Sequence, residues 1–101
     1  MTMRVSIVTV CFNSERTIER CINSILKLGV KPYEYLVVDG ASTDSTLSIL
    51  NSYINIFEKA EIKYTIVSET DTGIYNAMNK AIDIAQGDWV IYLNSDDYFC
   101  S

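Results

Sequence analysis

The feature that most narrows what this chain can fold into is an alternation. Four apolar, largely β-branched runs, at residues 5–10, 33–38, 63–68 and 88–93, are separated by stretches whose apolar residues recur at helical spacing. After the first run Asn13 and Ser14 offer helix caps, Ile18, Ile22, Ile25 and Leu26 or Leu28 form one stripe, and Gly29 supplies a stop before the turn at Pro32. After the second, the small polar loop from Gly40 to Ser45 opens a helix through Leu47, Leu50 and Ile54 that reaches about Phe57. After the third, a helix from near Ile74 carries Met78, Ile82 and Ala85 on its inner face and ends at Gly87. The resulting βαβαβαβ order predicts an α/β chain with a parallel sheet and right-handed crossovers. The first run reads as a central strand, and the last, Asp88-Trp89-Val90-Ile91-Tyr92-Leu93, as a buried one.

The strands stop in acids. Asp39 closes the second, Glu69 and Asp71 follow the third, and Asn94-Ser95-Asp96-Asp97 follows the fourth. In open α/β sheets ligands bind at the carboxyl ends of the strands, so all these groups are expected on one functional edge. Adjacent carboxylates repel each other, and become favourable together around a hard cation such as Mg2+ or Mn2+. Taken alone, Asp96-Asp97 suits a solvated turn as well as a ligand site. Several acids on one edge of an apolar sheet point to a site for a metal and for polar groups such as ribose hydroxyls.

Composition sets the remaining bounds. At 101 residues the chain is one domain, and 49% hydrophobic residues with a single Pro describe a globular segment. The net charge of −5 argues against nucleic acid and anionic lipid as partners. Cys11, Cys21 and Cys100 form no Cys-x-x-Cys, and the chain has no histidine, which argues against a zinc site and for a reducing, cytoplasmic location. No apolar run approaches the roughly 18–20 residues of a membrane span.

Four blocks carry a resemblance. They are Val5-Ser6-Ile7-Val8-Thr9-Val10 with Phe12-Asn13, Val37-Val38-Asp39-Gly40-Ala41-Ser42-Thr43-Asp44-Ser45-Thr46, Glu69-x-Asp71-x-Gly73-Ile74-Tyr75-Asn76-Ala77-Met78-Asn79-Lys80, and Asn94-Ser95-Asp96-Asp97. In that order and spacing the chain resembles the amino-terminal, nucleotide-sugar-binding half of family 2 inverting glycosyltransferases. The resemblance implies a Rossmann-like three-layer sandwich of the GT-A type with a mostly parallel sheet, residues 1–101 being its nucleotide-sugar-binding part and the carboxy-terminal half missing.

Carried onto this sequence, the resemblance implies that Thr9 and Asp39 border the nucleobase, with Asp39 accepting from the base more plausibly than merely capping its own turn. Asn13 lines the same pocket or caps a helix, and Asp44 is a helix cap. Asp71, Gly73 and Lys80 lie under the nucleotide and its diphosphate. Asp96 reaches the ribose or the metal, and Asp97 ligates Mg2+ or Mn2+. Many relatives have Asp where this chain has Asn94. The donor implied is a UDP- or GDP-type sugar, the acceptor a glycan or lipid-linked hydroxyl in polysaccharide or cell-surface glycan synthesis, and the location the cytoplasm or the inner face of the membrane. The general base is expected in the half that follows Asp97. The expectations for the polypeptide itself are therefore reduced or lost transfer with nucleotide affinity retained, and self-association through the surface that truncation bares. The alternative is a non-catalytic nucleotide-binding or interaction fragment. A receiver-type signalling domain needs its acceptor Asp after a middle strand and a Lys after a later one, an order not met here.

Overall fold

The computed structural model describes residues 4–70, 74–97 and 99, with the backbone alone for 74–77. Among them the elements run β1 (Val5–Cys11), α1 (Ile18–Leu26), β2 (Glu34–Asp39), α2 (Thr46–Ser52), α3 (Ile54–Lys59), β3 (Lys63–Ser68), α4 (Ile74–Ile84) and β4 (Trp89–Tyr92). The anticipated alternation is present, with the second helical stretch divided at Tyr53 into α2 and α3. Asn13 and Ser14 do not cap α1, which begins only after Thr17. Asn13 instead adopts a left-handed φ of 48°, a conformation Asn tolerates better than most residues, and its side chain reaches a neighbouring loop.

All four strands are parallel, in the order β3-β2-β1-β4. Every strand's carboxyl end therefore lies on one edge, as the acids required. The chain builds β1, β2 and β3 in one direction, then crosses back to add β4 on the other side of β1. Right-handed crossovers then place α1, α2 and α3 on one face and α4 on the other. Two core clusters follow this division, because alternate strand residues face opposite sides. Ile7, Cys11, Tyr35 and Val37 pack with Ile22, Leu50 and Phe57 on one face, and Val8, Leu36 and Val38 pack with Ala81 on the other. Stacked rings of Phe57 and Tyr64, with centroids 4.3 Å apart, fill the first layer beside Tyr35.

Two expectations are corrected. The strand near the end is not buried: Trp89, Val90 and Ile91 are 60%, 45% and 43% exposed. Among the described residues β4 pairs only with β1, and α4 packs over β2 and β1 instead of over β4. Ile82 is not on the inner face of α4 either, being 56% exposed, while the smaller Ala81 is fully buried against the sheet.

At the amino-terminal edge a buried carboxylate joins β1, β2 and the segment entering β4. Glu34 Oε1 accepts from Ser6 Oγ at 2.7 Å and from the Gln86 amide at 2.5 Å, and the Gly87 amide donates to Ser6 Oγ at 2.8 Å. A Cβ on Gly87 would stand 2.4 Å from Ser6 Oγ, so this glycine is required by close backbone approach and not only as a helix stop. No helix among the described residues is long and apolar enough to cross a membrane.

Candidate functional site

The order β3-β2-β1-β4 contains a switch point between β1 and β4, where the loops leaving two adjacent strands diverge and open a crevice. A cleft of about 440 Å3 lies there, between the loop after β1 (residues 13–17), Asp44 from the loop after β2, and Asn94, Ser95 and Asp96 after β4, with Val10 and Tyr92 at its floor.

Short hydrogen bonds fasten these three loops together. The Ser14 amide donates to Thr46 Oγ1 at 2.7 Å, and Ser14 Oγ donates to Ser95 Oγ at 3.1 Å. Asn13 Oδ1 accepts from the amides of Thr43 and Asp44 at 2.8 and 3.3 Å, and its own amide donates to Ser42 Oγ at 2.9 Å. Asp44 Oδ1 accepts from the Thr46 amide at 2.9 Å, and Oδ2 from the Glu15 amide at 3.3 Å. Asp44 is not the cap of α2, which is Ser45, but from one residue outside it holds the first helical amide, and it also walls the cleft. Desolvation pushes its carboxyl upward, but hydrogen bonds from the Thr46 hydroxyl and amide and from the Glu15 amide outweigh this and hold it below its ordinary value of 3.8.

The anticipated site residues do not all meet in this cleft. Asn13 and Asp96 line it. Thr9 does not: strand alternation turns it toward α1, where it is fully buried and its Oγ1 accepts from the Tyr35 hydroxyl at 2.8 Å. Asp39 is also fully buried. Its Oδ2 accepts from the Ser42 amide at 3.0 Å and Ser68 Oγ at 2.8 Å, while Oδ1 accepts from Ser42 Oγ at 2.5 Å and the Cys11 thiol at 3.5 Å. The turn-holding role that the sequence left as the weaker one is therefore present, and it steadies a turn in which Ala41 carries a φ of 60°. Lys80, on α4, pairs with Glu69 at 2.7 Å beyond the end of β3, and neither lines the cleft. Asp71 and Gly73 lie outside the described residues.

Asp96 and Asp97 are both exposed. The Asp97 amide donates to the Asn94 carbonyl at 3.0 Å, and Asn94 Nδ2 donates to Asp97 Oδ2 at 3.2 Å. An aspartate at position 94 could not make that second contact, so the departure to Asn fixes one Asp97 oxygen. Burial first, and then the charges of Asp96 and Asp97, raise the Tyr92 hydroxyl above its ordinary 10.0.

Among the described residues no three Asp, Glu, Cys or His groups come together as a metal cage. Asp39 and the Asp96–Asp97 pair share an edge without sharing a cluster. Two exposed neighbouring carboxylates nevertheless suit Mg2+ or Mn2+, which proteins hold through one or two carboxylates while substrate phosphates and water complete the shell.

Residue-by-residue reading missed Ser14, Glu15, Arg16 and Ser95 as cleft residues. Their signal was position alone: residues 13–17 directly follow β1, on the edge where the crevice had to open. Arg16 brings a positive charge to a cleft otherwise lined by Glu15, Asp44 and Asp96.

Comparison with known proteins agrees with this geometry. The model of glycosyl transferase family 2 matches residues 6–100. A PGL/p-HBAD biosynthesis glycosyltransferase of Mycobacterium tuberculosis is 37% identical over 93 residues, covering 91% of this chain and 35% of the relative. The chain thus spans about a third of that relative's length. Staphylococcus aureus TarS 1–349, solved in complex with UDP-GlcNAc, superposes with a TM-score of 0.81 at 31% identity over 95% of this chain and 27% of that one. The mannosyltransferase PcManGT from Pyrobaculum calidifontis, in complex with GDP-Man and Mn2+, superposes with a TM-score of 0.88 at 27% identity over 100% of this chain and 30% of that one. With the family matched along almost its whole length and the sheet shared with solved transferases, the chain belongs to glycosyl transferase family 2 and has a fold of the GT-A type.

Proposed function

We propose that this chain binds a nucleoside-diphosphate sugar of the UDP or GDP type with Mg2+ or Mn2+, for inverting transfer of the sugar to the hydroxyl of a glycan or lipid-linked acceptor in cell-surface polysaccharide synthesis. The carrying observation is the cleft at the β1/β4 switch point, lined by the exposed Asp96 and with the exposed Asp97 next in the chain. The complexes of TarS with UDP-GlcNAc and of PcManGT with GDP-Man and Mn2+ support the ligand class.

In this reading Asp97, one oxygen steadied by Asn94, and Asp96 hold the cation. Bound there, the cation supplies Lewis-acid stabilisation to the diphosphate as it leaves. Asn13 fastens the β1 loop around the nucleotide and Arg16 adds positive charge beside the phosphates. Asp39, its oxygens engaged by Ser42, Ser68 and Cys11, keeps the base-side turn in shape. Asp71, Gly73 and Lys80 complete the diphosphate side. The acceptor's proton passes to a general base supplied by the part of the enzyme beyond Asp97. The reaction belongs at the cytoplasmic side, at or near the inner membrane face where lipid-linked acceptors are found.

A second reading is nucleotide binding without transfer. One pair of measurements separates the two. Calorimetric titration with UDP and GDP, with and without Mn2+, is expected to show binding that Mn2+ tightens by about tenfold or more. Loss of that Mn2+ effect in Asp97→Ala is expected, and no heat with any nucleotide would sink both readings. Transfer of labelled sugar from UDP- or GDP-sugars then distinguishes an active polypeptide from a binding one.

A further inference from the structure

A hydroxyl, a phenol and a thiol form a continuous polar chain inside the helix-α1 face of the sheet. The Tyr35 hydroxyl donates to Thr9 Oγ1 at 2.8 Å, Thr9 Oγ1 lies 3.7 Å from Cys21 Sγ, and the Cys21 thiol donates to the Asn94 carbonyl at 3.6 Å. Cys21 Sγ also lies 3.7 Å from the Tyr35 hydroxyl, and a thiol donating to the Asn94 carbonyl leaves its sulfur to accept from the Thr9 hydroxyl. Burial holds the Cys21 thiol and the Tyr35 phenol above their ordinary values, which keeps both protonated as the chain requires. Tyr35, Thr9 and Cys21 are all fully buried.

The chain ends on the carbonyl that also accepts the Asp97 amide at 3.0 Å. We propose that Tyr35, Thr9 and Cys21 are positioning residues, a buried relay of hydrogen bonds that pins the Asn94 carbonyl from beneath and so sets the aim of Asp97. Helix α1 grips the same loop twice, since Arg20, next to Cys21, donates through Nη2 to the Asp96 carbonyl at 3.4 Å. Both contacts use backbone carbonyls and engage neither the Asp96 nor the Asp97 carboxylate. Buried donors without this partner would be costly, so the loop has one low-energy seat. This assigns Thr9 a role that needs no contact with the base.

The inference rests on reading Asp96 and Asp97 as the cation-facing pair, and its test separates the two claims. Thr9→Val keeps the shape and removes the hydroxyl, Thr9→Ser restores it, and Cys21→Ala removes the thiol's contacts with Asn94, Thr9 and Tyr35 while leaving the Tyr35–Thr9 bond. In ligand-free protein, exchange of the Asp97 amide, followed by NMR, is expected to quicken about tenfold in Thr9→Val and Cys21→Ala relative to the Val38 amide in the same sample, and to return to within about twofold of wild type in Thr9→Ser. Mn2+-dependent affinity for UDP or GDP is expected to fall about fivefold in the same two variants, with Mn2+-free affinity unchanged. Asp97 and Val38 exchange quickening in parallel, or Thr9→Ser failing to restore the protection, would overturn the proposal by reducing the chain to general stability. Should Thr9→Val not fold, Cys21→Ala decides, because it leaves the Tyr35–Thr9 bond in place. If wild-type protein binds no nucleotide, the proposed function falls while the exchange measurement still decides the positioning role.

Discussion

β2 and β4 flank the same strand and could hardly differ more. Ile7 of β1 has Tyr35 on one side and Ile91 on the other in the ladder. Tyr35 is fully buried, as is every residue of β2, whereas Ile91 is 43% exposed in a strand open along both faces. The two runs read alike as sequence, bulky and apolar. What differs is cover: α1, α2 and α3 close one face over β2 and α4 closes the other, while β4 reaches these layers only at its end, where Tyr92 packs against the α4-side cluster and Leu93, just beyond, joins the other. An apolar run therefore reports strand formation, and burial is granted separately by sheet order.

That contrast can be broken most directly by truncation on each side of β1. Leu36→Ala, in the α4 face of β2, is expected to cost about 2–5 kcal/mol in urea unfolding. Ile91→Ala on the β4 side should cost under about 1 kcal/mol, and equal costs would dissolve the distinction. Gly87→Ala tests the joint between the two regions. Its Cβ would meet Ser6 and the Arg4 carbonyl, which is backbone and cannot swing aside, so a loss of about 1–3 kcal/mol is expected.

A pH titration sharpens the same comparison. Desolvation raises the thiols of Cys11 and Cys21 and the phenols of Tyr35 and Tyr64, all on the α1–α3 face of β1, β2 and β3. The folded state then keeps protons that the unfolded chain releases above the ordinary thiol value of 9.0. The stability these groups contribute is fully present below pH 9.0 and is lost as pH rises beyond it. Cys11→Ala should flatten that decline in denaturant midpoints between about pH 8 and about pH 10.5, and Trp89→Ala should leave its slope alone. The smallest stability effect is expected from Val90→Lys, within about 0.5 kcal/mol of wild type. Its consequence lies in association: the exposed apolar side chains of β4 are expected to make the wild-type chain self-associate, and the lysine to prevent it. Light scattering that shows a clean wild-type monomer would count against that expectation.

Much of the fold was legible because its signals are local. Apolar runs bounded by Gly, Pro and acids located all four strands, β3 with its final bounds, and the acids marked the edge where the cleft opens. Other features escaped because they depend on which strands become neighbours. Ile82 and Ala81 both fit a helical stripe, and only the tight seat on Leu36 and Val38 selects the smaller. Thr9 and Val10 differ by one position, and the pleat sends one into the α1 layer and the other to the cleft. Asn13 reads as a cap for the helix after it, yet its carbonyl oxygen is spent on Thr43 and Asp44, 30 and 31 residues away.

The sequence by itself determined the alternation of strands and helices, the parallel sheet and the rim on which the carboxylates gather, since periodicity and turn chemistry act over a few residues. Tertiary structure alone decided that β2 shares the centre with β1, that among the described residues β4 pairs only with β1, that Asp39 holds a turn while Asp96 faces the cleft, and that Thr9 lies in the core. Those outcomes follow from crossovers and side-chain contacts between segments 12 to 81 residues apart, which no local pattern encodes.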